Sequence, residues 1–143
     1  MGDPVKYFDS GFNCAESVLL SLSEVLGNTS DCIPQIATGF GGGMRTGDIC
    51  GAVSGAVMGL GLHFGRTTSE EKEKRDNTYA VVEEFVRQFR KIHGTIICRE
   101  LLGVDVTTEE GRAQYEKDDL HHQKCHAYCA TAFKIAETLL SPE

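Results

Sequence analysis

With 143 residues, of which 41% are hydrophobic and 24% charged, the chain has the size and composition of one globular domain, 1–143, and not those of a disordered or fibrous protein. Its formal net charge is −7 and it has no run of lysines or arginines, which argues against nucleic acid or an anionic membrane as the partner. The start of the chain, 1–6, lacks the basic and then apolar pattern of a signal peptide, which predicts a cytoplasmic protein.

The first strong helical pattern begins near Asn13. Asn13 and Glu16 have the spacing of a capping box, in which each residue accepts a hydrogen bond from the backbone of the other. Apolar residues then recur at helical spacing as far as Gly27, where we expect the helix to end. Residues 28–47 contain Pro34 and five glycines, which predicts a loop with at most one short helix near Ile36.

Residues 48–64 predict a second helix, which is rich in glycine and alanine. Its nearly uncharged section, 49–62, is shorter than the roughly 20 residues of a membrane span, so we expect a buried helix and no membrane span. Gly51, Gly55 and Gly59 recur every four residues and form a bare stripe that a neighbouring helix can approach closely. The stripe could pack within one chain or between the two chains of a homodimer.

A long third helix is predicted after a polar stretch. Thr68 and Glu71 have the spacing of another capping box, and the apolar pattern continues to about His93. The residues expected in its buried stripe are Tyr79, Val82, Phe85, Val86 and Phe89.

The remaining elements are also helical. A short helical turn is predicted at Cys98–Leu102, a polar connector begins at residues 107–110, and a last helix covers His122–Leu140. Only the brief run 95–97 suggests a strand. The fold class is therefore expected to be all-α, a single-domain bundle of four or five helices around the glycine- and alanine-rich helix.

The chain has six cysteines, which are the main candidates for chemistry. They are Cys14, Cys32, Cys50, Cys98, Cys125 and Cys129. Their spacing is too wide for a small disulfide scaffold, and in a reducing cytoplasm such cysteines are typical of catalysis, redox sensing or metal binding. The alternative is that they are buried small hydrophobic residues.

Three of these cysteines are predicted near the start of a helix: Cys14, Cys50 and Cys98. Unpaired N–H groups and the positive end of the helix dipole favour a thiolate over a thiol at such positions. We therefore expect Cys50 in particular, in the first turn of the second helix, to have a lowered pKa.

Several segments occur in the order of a known cysteine pattern. The segments are Gly11-Phe12-Asn13-Cys14-Ala15, the glycine loop Gly39–Gly43, Cys50-Gly51-Ala52-Val53-Ser54-Gly55, Cys98 and Cys125. From about Gly11 to Ala132 the chain resembles the redox-active protein family named C_GCAxxG_C_C after this pattern. The resemblance implies that the functional sulfurs are Cys14, Cys50, Cys98 and Cys125, whereas Cys32 and Cys129 lie outside the pattern.

The last predicted helix also presents metal ligands at helical spacing. Two sets recur every four residues, namely His121, Cys125 and Cys129, and the pair His122 and His126. Imidazole and thiolate ligands on one face can bind zinc or another transition metal. One helix rarely completes a tetrahedral site, so a cysteine such as Cys14 or Cys50 would be required. The alternative is an ordinary polar helix face.

Three functions fit these residues. The first is a thiol oxidoreductase in which Cys50 is the nucleophile, Cys14, Cys98 or Cys125 resolves the mixed disulfide, and the redox partner is unidentified. The sequence leaves the disulfide pairing open. The second is a zinc or iron–sulfur site with the same four cysteines as ligands. The third is a non-catalytic interaction domain whose cysteines fill its core.

Overall fold

The computed structural model describes residues 2–141 and contains eight α-helices in that range. They are α1 (Pro4–Asp9), α2 (Cys14–Leu26), α3 (Cys32–Ala37), α4 (Gly51–Phe64), α5 (Lys72–His93), α6 (Cys98–Leu102), α7 (Glu109–Lys117) and α8 (His126–Leu140). The all-α class predicted from the sequence is confirmed, since residues 2–141 form no β-strand. The four longer helices α2, α4, α5 and α8 form a bundle, and α4 packs against the other three.

Helix α2 begins and ends where the sequence predicts. The Asn13 side chain accepts a hydrogen bond from the backbone N–H of Glu16, and the Glu16 carboxylate accepts one from the N–H of Asn13, both at 2.9 Å. At the other end Gly27 adopts a left-handed conformation with φ 68°. The capping box makes Cys14 the first residue of the helix.

The glycine stripe of α4 packs against α2 of the same chain. A Cβ atom at Gly51 would lie 3.2 Å from the Cβ of Cys14, and one at Gly59 would collide with the side chain of Leu22. The stripe therefore allows the close approach of two helices, as predicted, and both helices belong to the same chain.

Helix α5 differs from the prediction at its start. Glu71 does not lie inside the helix; it precedes it, and its carboxylate accepts hydrogen bonds from the N–H groups of Thr67 and Thr68 at 2.8 and 3.1 Å. The expected burial of Tyr79 is wrong, because its side chain is 59% exposed where the first half of α5 extends past the core. Phe85 and Phe89, in the second half, are fully buried as predicted.

Two features of the C-terminal third were not predicted. The expected connector contains α7, which Thr108 caps by accepting a hydrogen bond from the N–H of Gly111 at 2.9 Å. Helix α8 does not begin at His122; a π-turn, His121–Cys125, comes first.

Within residues 2–141 no helix combines the length and hydropathy that crossing a membrane requires.

Candidate functional site

Four cysteines from four different segments line one cavity of about 280 Å³, which we call the cysteine cavity. They are Cys14, Cys50, Cys98 and Cys125. Cys50, Cys98 and Cys125 are buried, whereas Cys14 is partly exposed. The remaining lining residues are Phe8, Asn13, Gly42, Arg45, Gly51, Leu101, Leu102, Val106, Arg112, Tyr115, Glu116 and Tyr128.

Cys14, at the start of α2, and Cys125, in the π-turn, both line the cavity. Each thiol shifts the pKa of the other, and Cys129 of α8 also shifts the pKa of Cys14. The hydroxyl of Tyr115, on α7, donates a hydrogen bond to the Cys125 sulfur at 3.5 Å. The sequence pattern did not indicate Tyr115, because no helical spacing relates it to Cys125, which lies 10 residues later in the next element.

Cys50 and Cys98 are placed together by a single antiparallel bridge between Ile49 and Ile97. The N–H of Cys50 donates to the carbonyl of Ile96 at 2.7 Å, and the N–H of Cys98 donates to the carbonyl of Asp48 at 2.5 Å. Because side chains alternate along extended backbone, Cys50 and Cys98 lie on the same face of the bridge as diagonal neighbours. The strand-like run 95–97 thus positions two of the four sulfurs.

A left-handed turn precedes Cys50 and borders the cavity. Four consecutive residues, Gly42 to Arg45, have φ between 60° and 66°, although Met44 and Arg45 are not glycine. Left-handed backbone costs roughly 1–2 kcal/mol for each non-glycine residue, and strain of this kind is concentrated at functional sites. The turn places the Arg45 side chain in the cavity lining.

The turn is held to α6 by an ion pair that sequence reasoning did not find. Nη1 of Arg99, next to Cys98, lies 2.6 Å from the carboxylate of Asp48 and 3.2 Å from the carbonyl oxygen of Gly47. The hydrogen bond from Arg99 lowers the pKa of Asp48. This contact links the segments that precede Cys50 and follow Cys98.

The predicted activation of Cys50 is wrong. Cys50 is the N-cap residue of α4 and is 5% exposed. Burial raises the pKa of its thiol to about 12, although the N–H groups of Val53 and Ala52 lower it. The helix start therefore acts in the expected direction, but removal of the sulfur from water has the larger effect.

The other cavity thiols are also held in the protonated form. Burial raises the pKa of Cys98 to about 11. Interaction with Cys125 lowers the pKa of Cys14, but interaction with Cys129 and burial outweigh it and leave the pKa well above its usual value. Interaction with Cys14, together with burial, raises the pKa of Cys125, and the Tyr115 hydroxyl lowers it.

The two cysteines outside the family pattern occupy different environments. Cys32, the first residue of α3, is exposed. Cys129 is fully buried one helical turn after Cys125 and contacts Cys14 without lining the cavity.

The predicted shared face of His121, Cys125 and Cys129 is formed only in part: both cysteines lie near Cys14, whereas His121 faces Asp9. Cys125 points into the cavity, whereas Nε2 of His121 lies 3.0 Å from Oδ1 of Asp9. His122 and His126 are adjacent as predicted, with ring centroids 4.8 Å apart.

A second group of potential metal ligands lies around Asp9, and none of its residues lines the cysteine cavity. One ligand atom from each of Asp9, His121, His122 and His126 lies within 4.8 Å of the other three. Within residues 2–141 no other three or more histidine, cysteine or acidic side chains have ligand atoms this close together. The sulfurs of the cavity cysteines are therefore more widely spaced than this group. Hydrogen bonds from His121 and His126 lower the pKa of Asp9.

The comparisons with known proteins agree with the cysteine arrangement. The model of the family described as "Putative redox-active protein (C_GCAxxG_C_C)" matches residues 12–139. No curated protein and no solved structure matches the chain. The match includes all four cysteines of the cavity and nearly the whole of the described helical bundle, so the chain belongs to the C_GCAxxG_C_C family.

Proposed function

We propose that the protein is a thiol-based redox protein whose cavity cysteines alternate between dithiol and disulfide forms. The observation that supports this proposal best is the convergence of four cysteines from separate segments on one cavity. Buried cysteines that only filled the core would have no reason to border a common open space.

Cys14 and Cys125 are the first redox pair in this proposal. Their thiols are close enough to shift each other's pKa values. Cys50 and Cys98 are diagonal partners across a bridge, a position in which α-carbons lie about 7–8 Å apart. Disulfides usually need about 4.4–6.8 Å, so this second pair would require a movement of the backbone.

The proposed exchange begins at Cys14, which is the partly exposed member of the set. Its thiolate attacks a disulfide of a partner protein, the partner's S–S bond breaks, and a mixed disulfide forms with release of one partner thiolate. The Cys125 thiolate then attacks the Cys14 sulfur and releases the second partner thiolate. The cavity dithiol loses two electrons and two protons, and the partner disulfide gains them.

The raised pKa values argue against a strongly oxidising disulfide. A low thiol pKa stabilises the reduced form and makes a disulfide strongly oxidising. Because the pKa values of Cys14 and Cys125 are raised, their reduced form lacks this thiolate stabilisation.

Redox titration with disulfide mapping tests the proposal. Reduced protein is equilibrated anaerobically in dithiol buffers from about −150 to −400 mV, trapped with acid and alkylated, and its disulfides are located by peptide mass spectrometry. We expect a Cys14–Cys125 disulfide that Cys14→Ser abolishes and Cys32→Ser leaves intact. The proposal fails if the four cavity cysteines remain thiols over the whole range.

A second candidate function is the binding of an iron–sulfur cluster by the same four cysteines. The favouring observation is that the sulfurs surround a cavity of about 280 Å³, while no three of them come within 4.8 Å of one another. A single zinc ion needs sulfurs about 2.3 Å from the metal, whereas a cluster of several atoms fits a wider set of thiolates. When bound, such a cluster would supply one-electron transfer, and the four cysteines would hold it as thiolates.

Iron and acid-labile sulfide analysis of anaerobically purified protein separates the two candidates. Stoichiometric iron and sulfide that are lost in Cys50→Ser but kept in Cys32→Ser would support the cluster. Iron-free protein that forms the Cys14–Cys125 disulfide would support the thiol mechanism.

A further inference from the structure

We propose that Asp9, His121, His122 and His126 form a binding site for a divalent transition-metal ion, which we call the histidine site. It shares no ligand with the cysteine cavity. Nε2 of His121 and Nε2 of His126 lie 3.0 and 2.6 Å from the same oxygen, Oδ1 of Asp9. Three imidazoles and one carboxylate thus converge on a common point.

The π-turn is the reason the histidines meet. The backbone N–H of His126 donates to the carbonyl oxygen of His121, a hydrogen bond that spans five residues instead of the four of an α-helix. Residues five apart face different directions on an α-helix, but this turn brings the His121 and His126 rings to a centroid distance of 5.2 Å. π-Turns are rare and occur frequently at functional sites.

The histidine rings are oriented by groups outside the ligand set, as is usual at metal sites. Oδ1 of Asp119 lies 2.8 Å from Nδ1 of His122, which leaves Nε2 of His122 free to bind. Asp119 itself has a left-handed backbone with φ 51°. The Phe8 ring stacks on the His121 ring, with centroids 3.9 Å apart and planes 5° from parallel.

The donor set selects the class of metal. Imidazole nitrogens suit zinc, iron, nickel and cobalt, whereas calcium and magnesium prefer oxygen ligands. Ligand atoms about 2.0–2.2 Å from a tetrahedral metal lie roughly 3.3 Å from one another. On metal binding the His121 and His126 contacts with Asp9 would therefore widen by about 0.3 and 0.7 Å.

Metal access requires no opening of the core. The side chains of Asp9 and His122 are 45% and 57% exposed, and those of His121 and His126 are 30% and 24% exposed. A bound ion would fasten α1, which carries Asp9, to the π-turn, which carries Cys125. Phe8 of α1 also lines the cysteine cavity, so the two sites share a structural element.

Titration of metal-free, fully reduced protein with Co²⁺ under argon tests the proposal. We expect one equivalent to bind with visible d–d absorption and without the near-ultraviolet thiolate-to-metal band that cysteine ligation produces. Zn²⁺ should displace it. His126→Gln and Asp9→Asn should each weaken binding by about 100-fold or more, and Asp119→Asn should weaken it by about 10–100-fold.

His63→Gln, at an exposed histidine near the end of α4, is the matched control and should bind Co²⁺ as the wild type does. Cys14→Ser should also leave the Co²⁺ affinity unchanged, which separates this site from the redox proposal. Circular dichroism checks that each variant is folded. If His126→Gln unfolds, the Co²⁺ affinity of Asp9→Asn, at the exposed end of α1, tests the site. The proposal is wrong if folded Asp9→Asn binds Co²⁺ within twofold of wild type, or if the bound ion shows a thiolate band that Cys14→Ser removes.

Discussion

Gly55 lies so close to Ala15 that a Cβ atom at residue 55 would collide with the Ala15 carbonyl oxygen. Helices α4 and α2 therefore touch backbone to backbone at this point. The same approach continues to the start of α4, where Gly51 lies against Cys14. Two of the four cavity cysteines, Cys14 and Cys50, are adjacent to this contact.

We expect Gly55→Ala to lower the free energy of unfolding by about 1–3 kcal/mol, because backbone atoms cannot move aside for the added methyl group. Gly61→Ala on the same helix is the matched control, since a Cβ there meets no atom within 4 Å. It should raise stability by about 0.5–1 kcal/mol through helix propensity alone. Urea unfolding measures both changes. Equal stability of the two variants would contradict the close contact.

The cavity thiols should react slowly with alkylating reagents, although Cys14, Cys50 and Cys98 lie at or beside helix starts. Only thiolates are nucleophilic, and the pKa of Cys50 is about 12. In reduced protein at pH 8 we expect iodoacetamide to modify the exposed Cys32 at least about 100-fold faster than Cys50. Quenched samples analysed by mass spectrometry give the rate at each cysteine. Cys50 modified as fast as Cys32 would show that the thiol is activated after all.

Stability of the reduced protein should fall at alkaline pH. Folding raises the pKa of Cys50 to about 12 and of Cys98 to about 11 from a usual value near 9. The unfolded thiols therefore lose their protons first, and the stabilisation present below pH 9 is lost as the pH rises through 11 and 12. Each thiol contributes a slope of about 1.4 kcal/mol per pH unit in that window.

Anaerobic urea unfolding between pH 7 and 10.5 measures this slope. Cys50→Ala should make the decline shallower above pH 9, whereas Cys32→Ala, at an exposed position, should leave it unchanged. A wild-type stability that stays level up to pH 10.5 would contradict the buried, protonated state.

Tyr115→Phe should slow formation of the Cys14–Cys125 disulfide. The Tyr115 hydroxyl donates to the Cys125 sulfur and favours its thiolate, which is the resolving nucleophile in the proposed exchange. Loss of a hydrogen bond to a charged group corresponds to roughly a 10-fold lower rate at pH 8. Stopped-flow oxidation by a small disulfide measures the rate, and Tyr79→Phe, at a side chain that is 59% exposed, is the control. Equal rates for the two variants would remove Tyr115 from the mechanism.

Much of the secondary structure could be predicted because its signals are local. The Asn13 capping box joins residues three apart, and Gly27 ends the same helix through its own backbone conformation. Helix α7 was missed because it has few apolar residues, so that no helical stripe marks it. The π-turn was missed because an inserted residue leaves no trace in the hydrophobic spacing.

The candidate site, like the secondary structure, could be predicted from the sequence only where local signals determine it. The resemblance to the C_GCAxxG_C_C family singled out the four cavity cysteines. Local signals placed three of them at or beside a helix start, since capping and helix boundaries depend on a few neighbouring residues. Their pKa values depend on how much water the whole bundle removes, which the helix start alone does not determine. Tyr115 and Asp9 reach the two sites from α7 and α1, so only the tertiary structure could bring them there.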